Sequence, residues 1–123
     1  MKVAVTSQGP EPTSPVDPRF GRAKCFIVVD TETGDRVVHD NAQNLNAVQG
    51  AGIQAGRTVI DLGVAAVITG NVGPKAFATL RAGGVEVYSG AAGTVAEALE
   101  KFQAGELPRA SEANVEGHWT QTG

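Results

Sequence analysis

Val64-Ala65-Ala66-Val67-Ile68-Thr69-Gly70-Asn71-Val72-Gly73-Pro74-Lys75 is the stretch on which the fold turns. Its opening residues, through Thr69, make an apolar, β-branched run of the kind buried on both faces of a sheet. Gly70 to Gly73 interrupt that run, and Pro74 suits the first position of a helix, where its missing N–H costs nothing. A buried strand, a glycine loop and a helix in direct succession predict part of a parallel β-α-β unit. The helix is expected to run to about Ala82, with Gly83-Gly84 ending it and Val85-Glu86-Val87-Tyr88 forming the next strand.

The pattern extends in both directions. Upstream, residues 48–62 read as a helix with Ile53, Val59 and Ile60 apolar and Gly63 as the stop. Gly52 and Gly56, one turn apart, are read as a smooth stripe for close approach to the sheet. Downstream, Thr94 and Glu97 form a capping box ahead of Val95, Ala98, Leu99 and Phe102. Toward the N-terminus lie a strand over Lys2 to Ser7, a doubly buried strand from Cys25 to Asp30, a turn at Thr33-Gly34-Asp35, and an outer strand from Arg36 to His39. Residues 8–23 carry Pro10, Pro12, Pro15 and Pro18 and are expected to be a long, mobile loop. The order β-β-β-α-β-α-β-α predicts an α/β domain with one mixed five-stranded sheet, order 3-2-1-4-5, flanked by helices. Its switch point lies between strands 1 and 4, where open α/β sheets bind ligands. The domain is expected to span residues 1–104, with 105–123 as a polar tail.

Composition narrows the function classes. The chain has 123 residues, 41% hydrophobic and 19% charged, which suits one domain with its own core. A net charge of −3 and an aromatic content of 5% disfavour phosphate-backbone binding and base stacking, so no nucleic-acid partner is expected. No window approaches ~20 apolar residues, so no membrane association is expected. A single cysteine excludes an internal disulfide and fits a reducing, cytoplasmic setting. Glycine, at 16, is abundant, which points to backbone lying close to something.

Gly50-Ala51-Gly52-Ile53-Gln54-Ala55 has the spacing of a dinucleotide fingerprint, but Asn41, Gln43, Asn44 and Asn46 precede it where a buried strand should. Gly70 to Lys75 is more informative, since a helix N-terminus with glycines and a lysine suits an anion, although the G-K-[ST] of a nucleotide-binding P-loop is missing. Ser89 to Thr94 is a second such connection. In the expected topology the loops at 7–23, 70–75 and 89–94 meet on one rim. Arg19, Arg22 and Lys24 place three cations in six residues of an acidic protein, interleaved with Phe20 and Gly21. Cys25 and His118 are the candidate metal-ligating side chains. With His39 they do not make a zinc set. Trp119 stands in the tail as an aromatic that could fold over a site.

Ser14-Pro15-Val16-Asp17-Pro18-Arg19-Phe20-Gly21-Arg22-Ala23, with Gly50 to Gly56, Gly70-Asn71-Val72-Gly73-Pro74 and Gly83 to Tyr88, resembles the dinitrogenase iron–molybdenum cofactor biosynthesis family. The resemblance covers residues 1–107. It implies a ribonuclease H-like fold and the binding or carriage of a metal–sulfur cluster, with no enzymatic turnover. The matching positions are Phe20, Gly21, Arg22 and Ala23, with Asn71, Gly73 and Pro74 beside them; the adjacent cations Arg19 and Lys75 complete the candidate site. Neither loop contains a histidine, which favours the small stand-alone type. That type implies a molybdenum–copper sulfide cluster, with an iron–molybdenum precursor as the second choice. The implied partners are the cluster itself and a donor, acceptor or ATPase protein. A metal-dependent nuclease of the same fold would need carboxylates on the first strand, and Lys2 to Ser7 has none. The alternative reading is a regulatory or partner-binding module whose pocket takes another anion, such as a nucleotide.

Overall fold

The computed structural model describes residues 1–41 and 50–110. Its strands are β1 (Lys2–Ser7), β2 (Cys25–Asp30), β3 (Arg36–Asp40), β4 (Ala66–Ile68) and β5 (Glu86–Tyr88). Its helices are α1 (Ala51–Asp61), α2 (Pro74–Ala82) and α3 (Val95–Gln103). The sheet has the expected order, β3-β2-β1-β4-β5. β2 is antiparallel to both β1 and β3, whereas β4 is parallel to β1 and to β5.

Alternation along the strands divides the core into two layers. Ala4, Phe26, Val28, Val67 and Val87 face α1 and α2, meeting Ala55, Val59, Ala76 and Leu80. Val3, Val5, Ile27, Val29 and Ile68 face the other way, onto Val95 and Ala98 of α3. Because β1 and β4 are buried on both sides, they form the centre of the domain. Their C-terminal ends open at the switch point.

Two details differ from the sequence reading. β4 and β5 are shorter than expected, because Val64 and Val85 belong to helix endings. The Val64 N–H donates back to Val59 O and the Val85 N–H to Leu80 O, each one residue after a left-handed glycine. This is the Schellman ending, in which the following apolar residue packs back on the helix. The second difference concerns Gly52 and Gly56. They face α2: a Cβ on Gly52 would stand 3.0 Å from Ala76 Cβ, and one on Gly56 would stand 2.9 Å from Thr79 Cγ2. The glycine stripe therefore brings helix against helix, while Ala55 and Val59 make the contact with the sheet.

The chain beyond α3 also has a place. The Ala110 N–H donates to Val87 O at 2.8 Å, Arg109 bridges to Tyr88, and its guanidinium meets Glu86 at 2.9 Å. Residues 109–110 thus cover the outer edge of β5.

Candidate functional site

The loop after β1 is pinned against the ends of the central strands. The Asp17 N–H donates to Thr6 O at 2.9 Å, and the Thr6 hydroxyl donates to Asp17 O at 2.7 Å. The Asn71 N–H donates to Pro18 O, and the Phe20 N–H to Asn71 O, so Arg19 runs parallel to Asn71 as a short extension of the sheet. A Cβ on Gly70 would stand 2.8 Å from Pro18 Cα, so this crossing requires glycine there. Despite its four prolines, the loop is well supplied with main-chain hydrogen bonds. Its prolines remove donors, but Val16, Asp17 and Phe20 are buried and their N–H groups are all satisfied.

Beyond Phe20 the chain crosses in front of α1. A Cβ on Gly21 would lie 2.8 Å from both Cα and N of Gly52, leaving room for hydrogen alone. Asn41, buried at the end of β3, holds the back of this segment through its side-chain amide, which donates to Ala23 O at 2.8 Å and Gly21 O at 3.3 Å. Asn41 carried no sequence motif; only the antiparallel return of β3 brings it there.

A cavity of about 580 Å³ opens between these parts, lined by the loop from Arg19 to Arg22, the start of α1 from Gly50 to Gly52, and Asn71 with Gly73 to Ala76 at the start of α2. The structure thus brings together Arg19, Phe20, Gly21, Arg22, Asn71, Gly73, Pro74 and Lys75. Ala23 does not line the cavity; it is fully buried in the core behind it. Phe20 forms the floor, since its ring lies 5.7 Å from that of Phe26 and only 2% of the residue is exposed.

Gly50, Ala51, Gly52 and Ala76 are the lining residues that the site reading omitted. The signal was present as the Gly50-Ala51-Gly52 motif, which has a phosphate-loop spacing in a non-nucleotide context. Gly50 caps α1 with φ 82°, a conformation other residues rarely adopt, and no side chain caps the helix. Gly73 caps α2, again without a side-chain cap. Neither first turn contains an acidic residue. Two helix N-termini therefore aim their partial positive charge at one cavity.

The rim adds cations. Arg19 is oriented by Asp17, whose carboxylate accepts from its backbone N–H at 3.0 Å and meets its Nε at 3.5 Å; the Arg19 guanidinium also donates to Arg22 O. Arg22 and Lys75 also line the cavity. Among the described residues no Asp, Glu, Cys or His lines this cavity, and no group of three or more such residues is placed to hold a metal ion. The lining therefore suits a sizeable anion held by N–H groups and cations.

The remaining expected contributors lie elsewhere. The loop from Ser89 to Thr94 docks on residues 12–16, with Pro15 bridged to Thr94, and does not reach the cavity. Cys25 alternates along β2 with Ile27 and Val29, which face α3, and so shares their side of the sheet; its thiol donates to Gly9 O at 3.3 Å. Burial raises its pKa, so the thiol stays protonated at neutral pH. His118 and Trp119 lie outside the described residues. No helix among the described residues is long and apolar enough to cross a membrane.

Sheet order and cavity together define a ribonuclease H-like α/β domain with a cavity bordered by two helix N-termini and by Arg19, Arg22 and Lys75 at its switch point. The profile of the family described as "Dinitrogenase iron-molybdenum cofactor" matches residues 1–105, and the chain belongs to that family. The apo form of the orange protein from Desulfovibrio gigas superposes with a TM-score of 0.91 at 40% identity, covering 93% of this chain and 96% of that one. A Thermotoga protein solved by NMR, described as a candidate NifB protein, gives a TM-score of 0.82 at 39% identity over 94% of this chain and 98% of its own. An uncharacterized protein of Methanocaldococcus jannaschii is 28% identical over 113 residues, covering 89% of this chain and 91% of the relative.

Proposed function

We propose that this protein binds and carries a multiply charged molybdenum-containing metal–sulfur cluster in the cavity between the Arg19–Arg22 loop and the starts of α1 and α2. The observation that supports this reading is the convergence of two uncapped helix N-termini on a cavity rimmed by Arg19, Arg22 and Lys75. A thiomolybdate-type cluster is large, soft and anionic. Main-chain N–H groups at Ala51, Gly52, Lys75 and Ala76 would hold its sulfur atoms, and the guanidinium of Arg22 would offset its charge. Phe20 gives the cradle an apolar floor.

The donor set determines the mode of binding. With no thiolate, imidazole or carboxylate among the described lining residues, retention rests on charge and hydrogen bonding. No protein–metal bond need break on release, which suits a carrier that receives its cargo from one protein and passes it to another. Family membership supports a molybdenum-containing cargo; the resemblance to the small stand-alone type puts a molybdenum–copper sulfide ahead of an iron–molybdenum precursor. The protein is then a carrier and not an enzyme, and a reducing cytoplasm suits both a sulfide cluster and the free thiol of Cys25.

Anaerobic reconstitution with tetrathiomolybdate and Cu(I) tests this. The expected result is a visible charge-transfer band and molybdenum that stay with the protein through desalting and are displaced by high salt. Desalted protein without molybdenum would overturn the reading. A nucleotide co-isolated with the anaerobically purified protein would support the module alternative instead.

A further inference from the structure

Among the described residues Asp17 is the only buried acid, with its side chain 3% exposed. Bonds from its N–H and to its C=O tie its main chain to Thr6 at the end of β1. Its Oδ1 accepts from the Arg19 N–H at 3.0 Å, an Asx turn, and meets Arg19 Nε at 3.5 Å. No other donor among the described residues reaches this carboxylate. The turn does not require the charge, since asparagine or serine would supply the same acceptor without burying an ion. Arg19 stands between Asp17 and the cargo cavity. It lines that cavity and also a second one of about 450 Å³, shared with Gln8, Asp17, Pro18 and Lys24, whereas Asp17 lines only the second.

We propose that Asp17 is a counter-charge for release: it offsets Arg19 and repels an anion in the cavity, so that cargo is held less tightly than the rim cations alone would hold it. This inference rests on the anion binding proposed above and adds how the cargo is let go. A buried carboxylate is screened less than one in water, so its field extends past Arg19. Asp17 touches no cargo. Its Oδ1 positions Arg19 through the turn, and its charge weakens the cradle. A variant that keeps the acceptor and loses the charge separates the two roles.

Anaerobic equilibrium dialysis of the full chain against tetrathiomolybdate tests this. Asp17→Asn should lower the Kd about fivefold, the size expected for removing one partly screened charge near a dianion. Asp17→Ser should shift it the same way, and serves as a second reading if the amide disturbs the turn. Arg19→Gln should raise the Kd about tenfold, because it removes a cation and leaves Asp17 unopposed. Adding Asp17→Asn to Arg19→Gln restores the wild-type net charge and should bring the Kd back to within about threefold of wild type. Glu100→Gln, exposed on α3, changes the net charge as Asp17→Asn does and should move the Kd by less than about twofold. Circular dichroism checks that each variant is folded. Asp17→Asn binding no tighter than wild type overturns the proposal, as does an equal gain from Glu100→Gln. So does a double variant no better than Arg19→Gln, which would make Asp17 a holder of Arg19 alone. Wild type that binds no tetrathiomolybdate would overturn the anion-binding reading itself, and this inference with it.

Discussion

The start of α3 and the starts of α1 and α2 answer the same physical demand in opposite ways. Every helix begins with N–H groups that the helix itself cannot satisfy. At α3 they are consumed internally: the Val95 N–H donates to Ser14 O, the Ala96 N–H to Pro12 O, and the Glu97 N–H to the Thr94 hydroxyl at 3.1 Å. The Glu97 carboxylate closes the box by accepting from the Thr94 N–H at 2.9 Å. At α1 and α2 the caps are glycines without side-chain acceptors, and both ends face the same cavity. A satisfied N-terminus stabilises the fold, while an open pair of them leaves N–H donors for a ligand. The proline-rich loop meets both kinds of helix start, bonding that of α3 through residues 12–14 and crossing that of α1 at Gly21, where only a glycine fits against Gly52.

The sharpest way to break this contrast is to fill the gap at Gly21. Gly21→Val drives side-chain atoms into the Gly52 backbone, and is expected to lower stability by about 1–3 kcal/mol and to abolish cluster uptake. Urea unfolding and molybdenum retention measure the two effects separately. Normal uptake by this variant would mean that the loop need not lie on α1.

Arg22→Ala should have an intermediate effect. Loss of a charged hydrogen bond predicts weaker cluster binding by about 1.5–3 kcal/mol, and urea unfolding separates this from any change in stability. Arg22→Lys should recover part of it, because the charge remains while the planar fork is lost. Arg57→Ala, on the exposed side of α1, serves as the control. If the control loses binding and Arg22→Ala does not, the cavity is not the site.

The smallest effect is expected at the closed end. Thr94→Ala should lower stability by about 1 kcal/mol and leave cluster binding unchanged. The N–H and hydroxyl of Thr94 hold the Glu97 carboxyl below its ordinary pKa. Its contribution is therefore present above the usual glutamate range and is lost as pH falls through it. Thr94→Ala removes the hydroxyl but keeps the backbone N–H, the larger cause, so it should flatten the acid side of the stability profile only in part, measured by thermal unfolding between neutral and mildly acidic pH. A loss of cluster binding in this variant would show that α3 belongs to the site after all.

Much of the cradle was legible because its parts are local. Arg19-Phe20-Gly21-Arg22 and Gly70 to Lys75 announce themselves by cations and glycines next to strand ends, and both line the cavity. Gly50 to Gly52 was visible as a motif without a meaning, since only the placement of α1 beside α2 shows that its N-terminus shares their cavity. Asn41 was not legible, because its role is to bind carbonyls of a segment some twenty residues earlier in the chain. Phe20 was visible as an aromatic, but not that its ring would turn inward onto Phe26.

What the chain determined by itself is therefore the local and periodic part: strand and helix order, the helix stops at Gly63 and Gly83-Gly84, and the capping box of α3. From these the handedness of crossovers leads to the sheet order, since few topologies remain. The tertiary structure alone decided where the proline-rich loop lies, which helix ends it closes and which it leaves open. That depends on hydrogen bonds between distant segments, Thr6 with Asp17, Pro18 with Asn71 and Ser14 with Val95. No sequence period encodes such pairs, because apart from the Thr6 hydroxyl each donor and acceptor is a main-chain group that almost any residue could supply.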